Sequence, residues 1–467
     1  MNNNKKYITT TLPYINSSAH VGYAFEVCIA DVVSGYFRYK LGSDNVFLNL
    51  GIDEHGQKIY QKSIEEGYDN VQDYCDKMSD VWKSFLNDFQ IDYNNFYRTT
   101  DPKHKENVLR YYKDIESILY KKTYKGKYCV GCESFKTEKE IVDNKCVTHN
   151  SELIDVEEEN TFFPLNKFST KINDILINKS SSKELKNIFE DDFDLSITRK
   201  NVKWGIELND QETIYVWAEA LMNYVFSIKY YEDNEYFQSF WSNSLQICGK
   251  DNLKFQAYVL QALLLAGDIP QTKELLVHGT ILDENGLKMS KSLGNVIDPI
   301  QQKEKFGLSA VKYYLTFGLS LFDDSKYSEG DLVNIWNSDV VKGFGNLVSR
   351  TLHLIDVKKV SPDECELSTE FENYIIELKK NIDDAFEKYD FGGVRNLLNQ
   401  SVSRINKRYE VERPFDKECV DYKDILVEIY TELKVLSEYY SIILKEYQDD
   451  INNAFINNKK VILFKML

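Results

Sequence analysis

No stretch of this 467-residue chain is apolar for long enough to span a bilayer, which excludes a helical membrane protein. It carries no internal repeat and no low-complexity tail, so solenoids and disordered arrays are excluded as well. A surplus of basic charge is also missing. The formal net charge of −17 repels polyanions at long range, so composition alone argues against a nucleic-acid binder. Only local pairs offset this, namely Lys121-Lys122, Lys358-Lys359, Lys379-Lys380 and Lys407-Arg408, and such pairs commonly lie on solvated faces. The eight cysteines form no disulfide framework. Cys28, Cys75, Cys248, Cys365 and Cys419 are scattered, whereas Cys129, Cys132 and Cys146 cluster with His149. That usage belongs to metal binding in a reducing, cytoplasmic compartment. The start, Met1 to Lys6, is short and polar and runs straight into a strand, so no cleaved signal is expected.

What is present fits a soluble chain with two to four domains: 43% hydrophobic and 28% charged residues are ordinary values. Tyr7 to Leu12 is rich in β-branched and aromatic residues and reads as a strand. Ser17 or Ser18 is placed to cap a helix whose Val21, Phe25, Ile29, Val32 and Tyr36 recur at helical spacing, with Gly42 closing it. Asn45 to Ile52 is a mostly apolar strand of the kind a parallel sheet buries, which completes a βαβ unit. A polar helical stretch covers Gln57 to Gln90. From about Thr123 to Gln211 the composition shifts to the Cys/His cluster, the acidic run Glu157-Glu158-Glu159 and Lys/Ser/Asn-rich sequence, an insertion between two halves of the fold. Strand and helix patterns resume at Thr213 to Trp217 and at Leu245 to Gly249. Beyond Pro299 the chain is helical, and from Asn334 glycines and prolines are few, as in a helix bundle.

Cys129-x-x-Cys132, thirteen further residues, then Cys146-x-x-His149 has zinc-knuckle spacing. Three thiolates and one imidazole close a tetrahedral shell with no open position, so a Zn²⁺ held there is structural. Near the N-terminus His20 and Gly22 fall in the first turn of the helix after the first strand, where free N–H groups and the helix dipole favour an anion. Gly22 there omits a side chain that would keep a ligand from the backbone. Far downstream comes Lys288-Met289-Ser290-Lys291-Ser292, flanked by Gly286 and Gly294, which can bend close to a polyphosphate and set ammonium groups on it. Alone, such a loop is commonly a solvated turn.

The two segments resemble the HIGH and KMSKS signatures of class I aminoacyl-tRNA synthetases. The words TTTLPYINSSAHVGYAFEVCIADV, GIDEHGQKI, YVWAEALMNY, GKDNLKFQ and VHGTILDENGLKMSKSLGNVIDP resemble, in order and spacing, the methionyl-tRNA synthetase family, closely over about the first 350 residues and loosely thereafter. The resemblance implies an α/β fold: a Rossmann-type nucleotide-binding parallel sheet split by a zinc-knuckle connective insertion and followed by an all-α anticodon-binding helix bundle. It implies residues 1–120 as the first half of the catalytic domain, 121–211 as the insertion, 212–299 as the second half with the KMSKS loop, 300–335 as a stem-contact region and 336–467 as the anticodon-binding domain.

The implied chemistry is attack of the L-methionine carboxylate on the α-phosphate of ATP, with departure of pyrophosphate, then transfer to tRNA(Met). The nucleophile is ionised at neutral pH, so positioning and charge stabilisation carry the step. His20, Lys288 and Lys291 are the implied catalytic residues. Gly22, Tyr23, Gly249, Lys250, Asp251 and Ser290 join them around ATP, with Mg²⁺ held mostly by phosphates and water. Tyr23 replaces the family's second histidine. Asp53 is implied to bind the methionine ammonium, with Leu12, Tyr14, Trp217, Ala220, Leu221, Tyr224 and His278 as pocket walls around the thioether. Glu219 stands where the family word has aspartate, and Gln256 where it has histidine. Cys129, Cys132, Cys146 and His149 match the family's single-knuckle metal site. Arg395, Asn406 and Tyr409 are the candidates for anticodon contact, with Pro414-Phe415 resembling the family's Pro-Trp, since no tryptophan follows Trp336. The chain ends soon after the bundle, so a monomer is expected. Two other readings stand beside this one: a class I synthetase for another apolar amino acid, and a synthetase-like RNA-binding protein that has lost charging.

Overall fold

The computed structural model describes residues 4–130, 134–136, 138–147, 150–172, 176–177, 194–200, 202–209, 211–289, 293–458 and 461–467. The chain forms two compact units, Met1–Ala19 with Asp44–His278, and His20–Ser43 with Gly279–Leu467. Among the described residues no helix is long and apolar enough to cross a membrane.

The first unit is built on a six-stranded sheet in the order Asn95–Arg98, Val46–Ile52, Lys6–Thr9, Ser244–Gly249, Glu274–His278, Leu176–Ile177. Every neighbouring pair is parallel. The strands carry near-continuous apolar runs because both faces are covered: Leu48, Leu50, Ile52, Leu245 and Val277 are all buried. The sheet winds outward in both directions from Lys6–Thr9, so the switch in strand order falls between Lys6–Thr9 and Ser244–Gly249. Ligands in open α/β sheets sit at the carboxyl ends of strands beside such a switch. Gly51 is needed in its strand because a Cβ there would lie 2.4 Å from the Tyr97 carbonyl oxygen.

The insertion is a four-stranded sheet in the order Leu195–Ser196, Ile154–Phe163, Tyr120–Cys129, Ser134–Lys136, all antiparallel. Its central ladder runs from Tyr120 opposite Phe162 to Tyr128 opposite Ile154. One piece of the predicted insertion does something the sequence did not suggest: Leu176–Ile177 forms the edge strand of the six-stranded sheet.

The second unit is helical. It contains Val21–Leu41, Pro299–Phe306, Leu308–Tyr313, Glu329–Ile335, Asn346–Lys358, Thr369–Glu387, Phe391–Val411, Tyr422–Ile443 and Gln448–Asn457. The helix expected to complete a βαβ unit with the first sheet therefore groups with the bundle. An ion triad accounts for part of this. Asp31, fully buried on Val21–Leu41, accepts from Lys312 at 2.8 Å and from Lys445 at 2.6 Å. Burial alone would raise the Asp31 carboxyl, but the two ammonium groups outweigh it and hold it well below the usual carboxylate range.

Candidate active site

In the first unit a cavity of about 260 Å³, its open mouth included, lies at the carboxyl ends of three central strands. Thr11 and Leu12 follow Lys6–Thr9, Asp53 follows Val46–Ile52, and Asn252 follows Ser244–Gly249. The remaining lining comes from Trp217, Ala220, Leu221, Asn223, Tyr224 and Gln256. One buried carboxylate thus faces a largely apolar and aromatic wall.

The backbone of Asp53 is fixed by an N–H donated to Pro13 O at 3.0 Å and by its carbonyl accepting from Ile15 at 3.3 Å. Only 2% of the residue is exposed. The following two residues are pinned as well. Glu54 accepts both Nε and Nη2 of Arg98, at 2.9 and 2.7 Å, and the hydroxyl of Thr100 at 2.6 Å. His55 Nδ1 meets Glu219 Oε1 at 2.8 Å. Gly56, at φ 110°, takes the chain out of this corner in a conformation that favours glycine.

The aromatic wall is layered. The Trp217 ring stacks on Phe255 with centroids 4.0 Å apart and planes 10° from parallel, and Tyr14 meets it edge-on at 5.9 Å. Phe255 opens a π-helical turn, Phe255–Val259, a local widening that recurs at functional sites. That turn brings Gln256 into the cavity, where its amide donates to the Tyr224 hydroxyl at 2.7 Å.

Six of the eight residues expected around an amino-acid ligand therefore line one cavity: Leu12, Asp53, Trp217, Ala220, Leu221 and Tyr224. Tyr14 reaches it through Trp217. His278 is not among the lining residues. It stands at the end of Glu274–His278 beside Gly249, where a Cβ would lie 3.2 Å from its ring, while Gln256 is among the lining residues. Sequence reasoning noted Gln256 only as a departure and missed Thr11, Asn223 and Asn252. It also missed His104, whose Nε2 lies 2.5 Å from the second oxygen of Glu219. Nothing in the polar helix Pro102–Asp114 marks that histidine.

The segments expected to bind an anion carry their own geometry. His20, rather than Ser17 or Ser18, caps helix Val21–Leu41: its Nδ1 accepts from Gly22 N–H at 3.1 Å. An accepting Nδ1 puts the proton of the neutral ring on Nε2, the atom that can then donate. Gly22 is required first by this cap, since a Cβ there would lie 2.9 Å from the His20 ring. Tyr23, expected beside a phosphate, is only 6% exposed, its side chain turned into the fold by its place on the helix. Lys288 is exposed and its residue forms a β-bridge with Leu282, while Ser290 and Lys291 lie outside the described residues. In the insertion Cys129 and Cys146 are both buried in one small cluster with Leu153. Cys132 and His149 lie outside the described residues, and among the described residues no three or more His, Cys, Asp or Glu side chains gather into a metal site.

In the bundle the expected contact residues are differently employed. Tyr409 is fully buried, its hydroxyl 2.7 Å from that of Thr351, so its ring offers no face to a base. Arg395 is held by Asp339 at 2.6 Å, and Asn406 is half-buried. Beside Tyr409 stands Arg350, which the sequence did not single out. Its guanidinium lies 3.9 Å from the Tyr409 ring and 5.6 Å from Phe415, and Phe415 is 40% exposed.

A doubly wound parallel sheet with an acid-and-aromatic cavity at its switch point defines a small-molecule-binding α/β protein of the nucleotide-binding class. A family described as tRNA synthetases class I (M) matches residues 6–152 and 136–352, and the chain belongs to that family. It is 33% identical to the methionine–tRNA ligase of Thermotoga maritima over 432 residues, 88% of this chain and 68% of that protein. It is 34% identical to the chloroplastic/mitochondrial methionine–tRNA ligase of Arabidopsis thaliana, over 85% of this chain and 65% of that one. Against the Rickettsia bellii methionine–tRNA ligase the identity is 30%, over 95% of this chain and 90% of that protein. The chain thus spans about two thirds of the length of the first two relatives. In fold it matches Mycobacterium tuberculosis methionyl-tRNA synthetase, solved with methionyl-adenylate, at a TM-score of 0.86 and 24% identity over 98% of this chain and 97% of that one.

Proposed function

We propose that the chain is a methionine–tRNA ligase, joining L-methionine to ATP as the adenylate and then transferring methionine to tRNA(Met). The carrying observation is the cavity in which one buried carboxylate, Asp53, faces Trp217, Leu12 and Tyr224 in a chain of this family. Asp53 pairs with the ammonium, and the aromatic wall packs on the uncharged, polarizable thioether. Tyr224, whose hydroxyl accepts a hydrogen bond from the Gln256 amide, belongs to the same wall. His20 donates from Nε2 to a phosphate oxygen, Gly249, Lys250 and Asp251 line the adenosine side, and Lys288 and Lys291 hold the departing pyrophosphate. Mg²⁺ accompanies ATP, held mostly by phosphates and water. ATP–pyrophosphate exchange across a panel of amino acids tests this reading. Exchange with methionine alone is expected; exchange with another apolar amino acid, or with none, would give the site to one of the two other readings.

The thiols Cys129, Cys132 and Cys146 and the imidazole of His149 form the donor set for a structural Zn²⁺, and the shared burial of Cys129 and Cys146 in a cluster with little other apolar mass suits a metal-held fold. Cys132→Ser is expected to abolish stoichiometric zinc and to impair tRNA charging more than adenylation. Metal analysis that finds no zinc in the wild type would withdraw all four ligands. For tRNA we place base stacking on Phe415 with Arg350 beside it, rather than on Tyr409, because an exposed ring beside a guanidinium is what single-stranded bases use. Scattered cysteines outside any disulfide among the described residues suit a reducing, cytoplasmic setting.

A further inference from the structure

We infer that Glu219 is a positioning residue for the amino-acid substrate: with His55 and His104 it holds the carboxylate wall of the cavity in register with its aromatic wall. This rests on the function proposed above. Glu219 stands two residues after Trp217 and one before Ala220, and His55 stands two residues after Asp53. The hydrogen bond between them, 2.8 Å, therefore spans the two walls. The segment that carries Trp217 is a helix of only five residues, Val216–Ala220. So short a helix has little stability of its own, and tertiary contacts must fix its place.

Glu219 is the contact best suited to do so. It is 0% exposed, and His55 and His104 are each 1% exposed. A carboxylate accepts and cannot donate, so both imidazoles donate to it: His55 through Nδ1 and His104 through Nε2, the latter at 2.5 Å. The Tyr97 hydroxyl then pairs with His104 Nδ1 at 2.9 Å, which fixes that ring from behind. Burial alone would raise the Glu219 carboxyl, yet the two imidazoles outweigh it and hold it below its usual range. In so dry a place each bond is strong and each loss is costly. The network thus ties three elements together: the loop after Val46–Ile52, helix Pro102–Asp114 and helix Val216–Ala220. An aspartate at 219, one methylene shorter, could not span both imidazoles on this backbone. Glutamate and His104 therefore act as a pair.

The test uses the full chain as wild type, His104→Leu and His104→Gln. Methionine and ATP KM and kcat are measured in pyrophosphate exchange, with methionine binding followed separately by tryptophan fluorescence. His104→Leu keeps apolar bulk but deletes the donor, and should raise methionine KM about tenfold, the scale of a lost buried hydrogen bond to a charged group, with ATP KM and kcat nearly unchanged. His104→Gln sets an amide N–H near the place of Nε2–H and should restore methionine KM to within about twofold of wild type. Should the leucine variant not fold, His104→Asn, too short to reach Glu219 while still able to meet Tyr97, replaces it with the same expectation. Leucine and glutamine variants behaving alike, methionine and ATP KM rising together, or a change confined to the melting temperature would overturn the assignment. A wild type without methionine-dependent exchange would instead sink the functional reading itself, so the two failures are distinct.

Discussion

Asp31→Asn is expected to destabilise the helical unit by about 3–5 kcal/mol, the cost of breaking a buried ion pair from one side. Asp31 has no exposure, and Lys312, its partner at 2.8 Å, is 4% exposed, so the change leaves an ammonium buried with its counter-charge gone. Burial by itself would lower the Lys312 ammonium, and at present Asp31 outweighs that and raises it. The coupling gives a second signature. Lys312→Met in the Asp31→Asn background should recover much of the loss, because the stranded charge is removed; two additive losses in urea titrations followed by circular dichroism would show that the pair is not coupled. The pH dependence has a definite sign. The Asp31 carboxyl is depressed in the folded state, so its contribution is fully present above the unfolded value and is lost as pH falls below about 4 toward the folded one. Wild type should therefore lose stability in that acid range more steeply than Asp31→Asn does.

The cavity was legible in the sequence to the extent that its residues follow strand ends. Asp53 comes directly after a buried apolar strand, and Leu12 comes three residues after the end of the first strand, positions that a parallel sheet makes into ligand loops. Trp217 and Tyr224 were readable because they sit in one short word. What was not legible depends on partners brought together by the fold. His104 is 115 residues from Glu219, and the guanidinium of Arg350 meets the ring of Tyr409 across two helices. No local pattern encodes either contact, and Glu219 looked like a mere departure until His104 supplied the second bond. For Tyr409 the sequence itself carried the competing signal. Val402, Ile405 and Tyr409 repeat at helical spacing and all face the bundle core, so periodicity already favoured burial over base contact. At Gly22 the sequence suggested room for a ligand as the reason for a glycine, whereas the ring that crowds its missing Cβ belongs to the neighbouring His20 cap.

Lys291→Ala should slow methionine-dependent pyrophosphate exchange by about 10²–10³-fold, equivalent to roughly 3–4 kcal/mol of barrier, while methionine binding measured without ATP stays near wild type. The difference follows from when the charge appears. Methionine presents its carboxylate to the α-phosphate before and during attack, but the pyrophosphate oxygens gain charge only as the bond to the α-phosphorus breaks. An ammonium set on those oxygens acts on the transition state more than on the ground state, and its loss lowers kcat. The described residues on either side of the loop are tied to each other. Asp283 accepts the N–H groups of Asn285 and Leu287 at 2.9 and 2.8 Å, and on its other oxygen the side-chain amide of Asn295 at 2.8 Å. The Asn295 amide, followed by the backbone N–H groups, holds the Asp283 carboxyl below its usual range, so it stays ionised and accepting at neutral pH. One carboxylate thereby gathers both sides of the Lys-Met-Ser-Lys-Ser segment, and Gly286, at φ 81°, makes the tight turn that enters it. Asp283→Asn should accordingly reproduce a milder form of the Lys291→Ala defect, again in kcat rather than in methionine binding. If Lys291→Ala instead weakens methionine binding in the absence of ATP as much as it slows exchange, the loop serves the amino acid and not the leaving pyrophosphate.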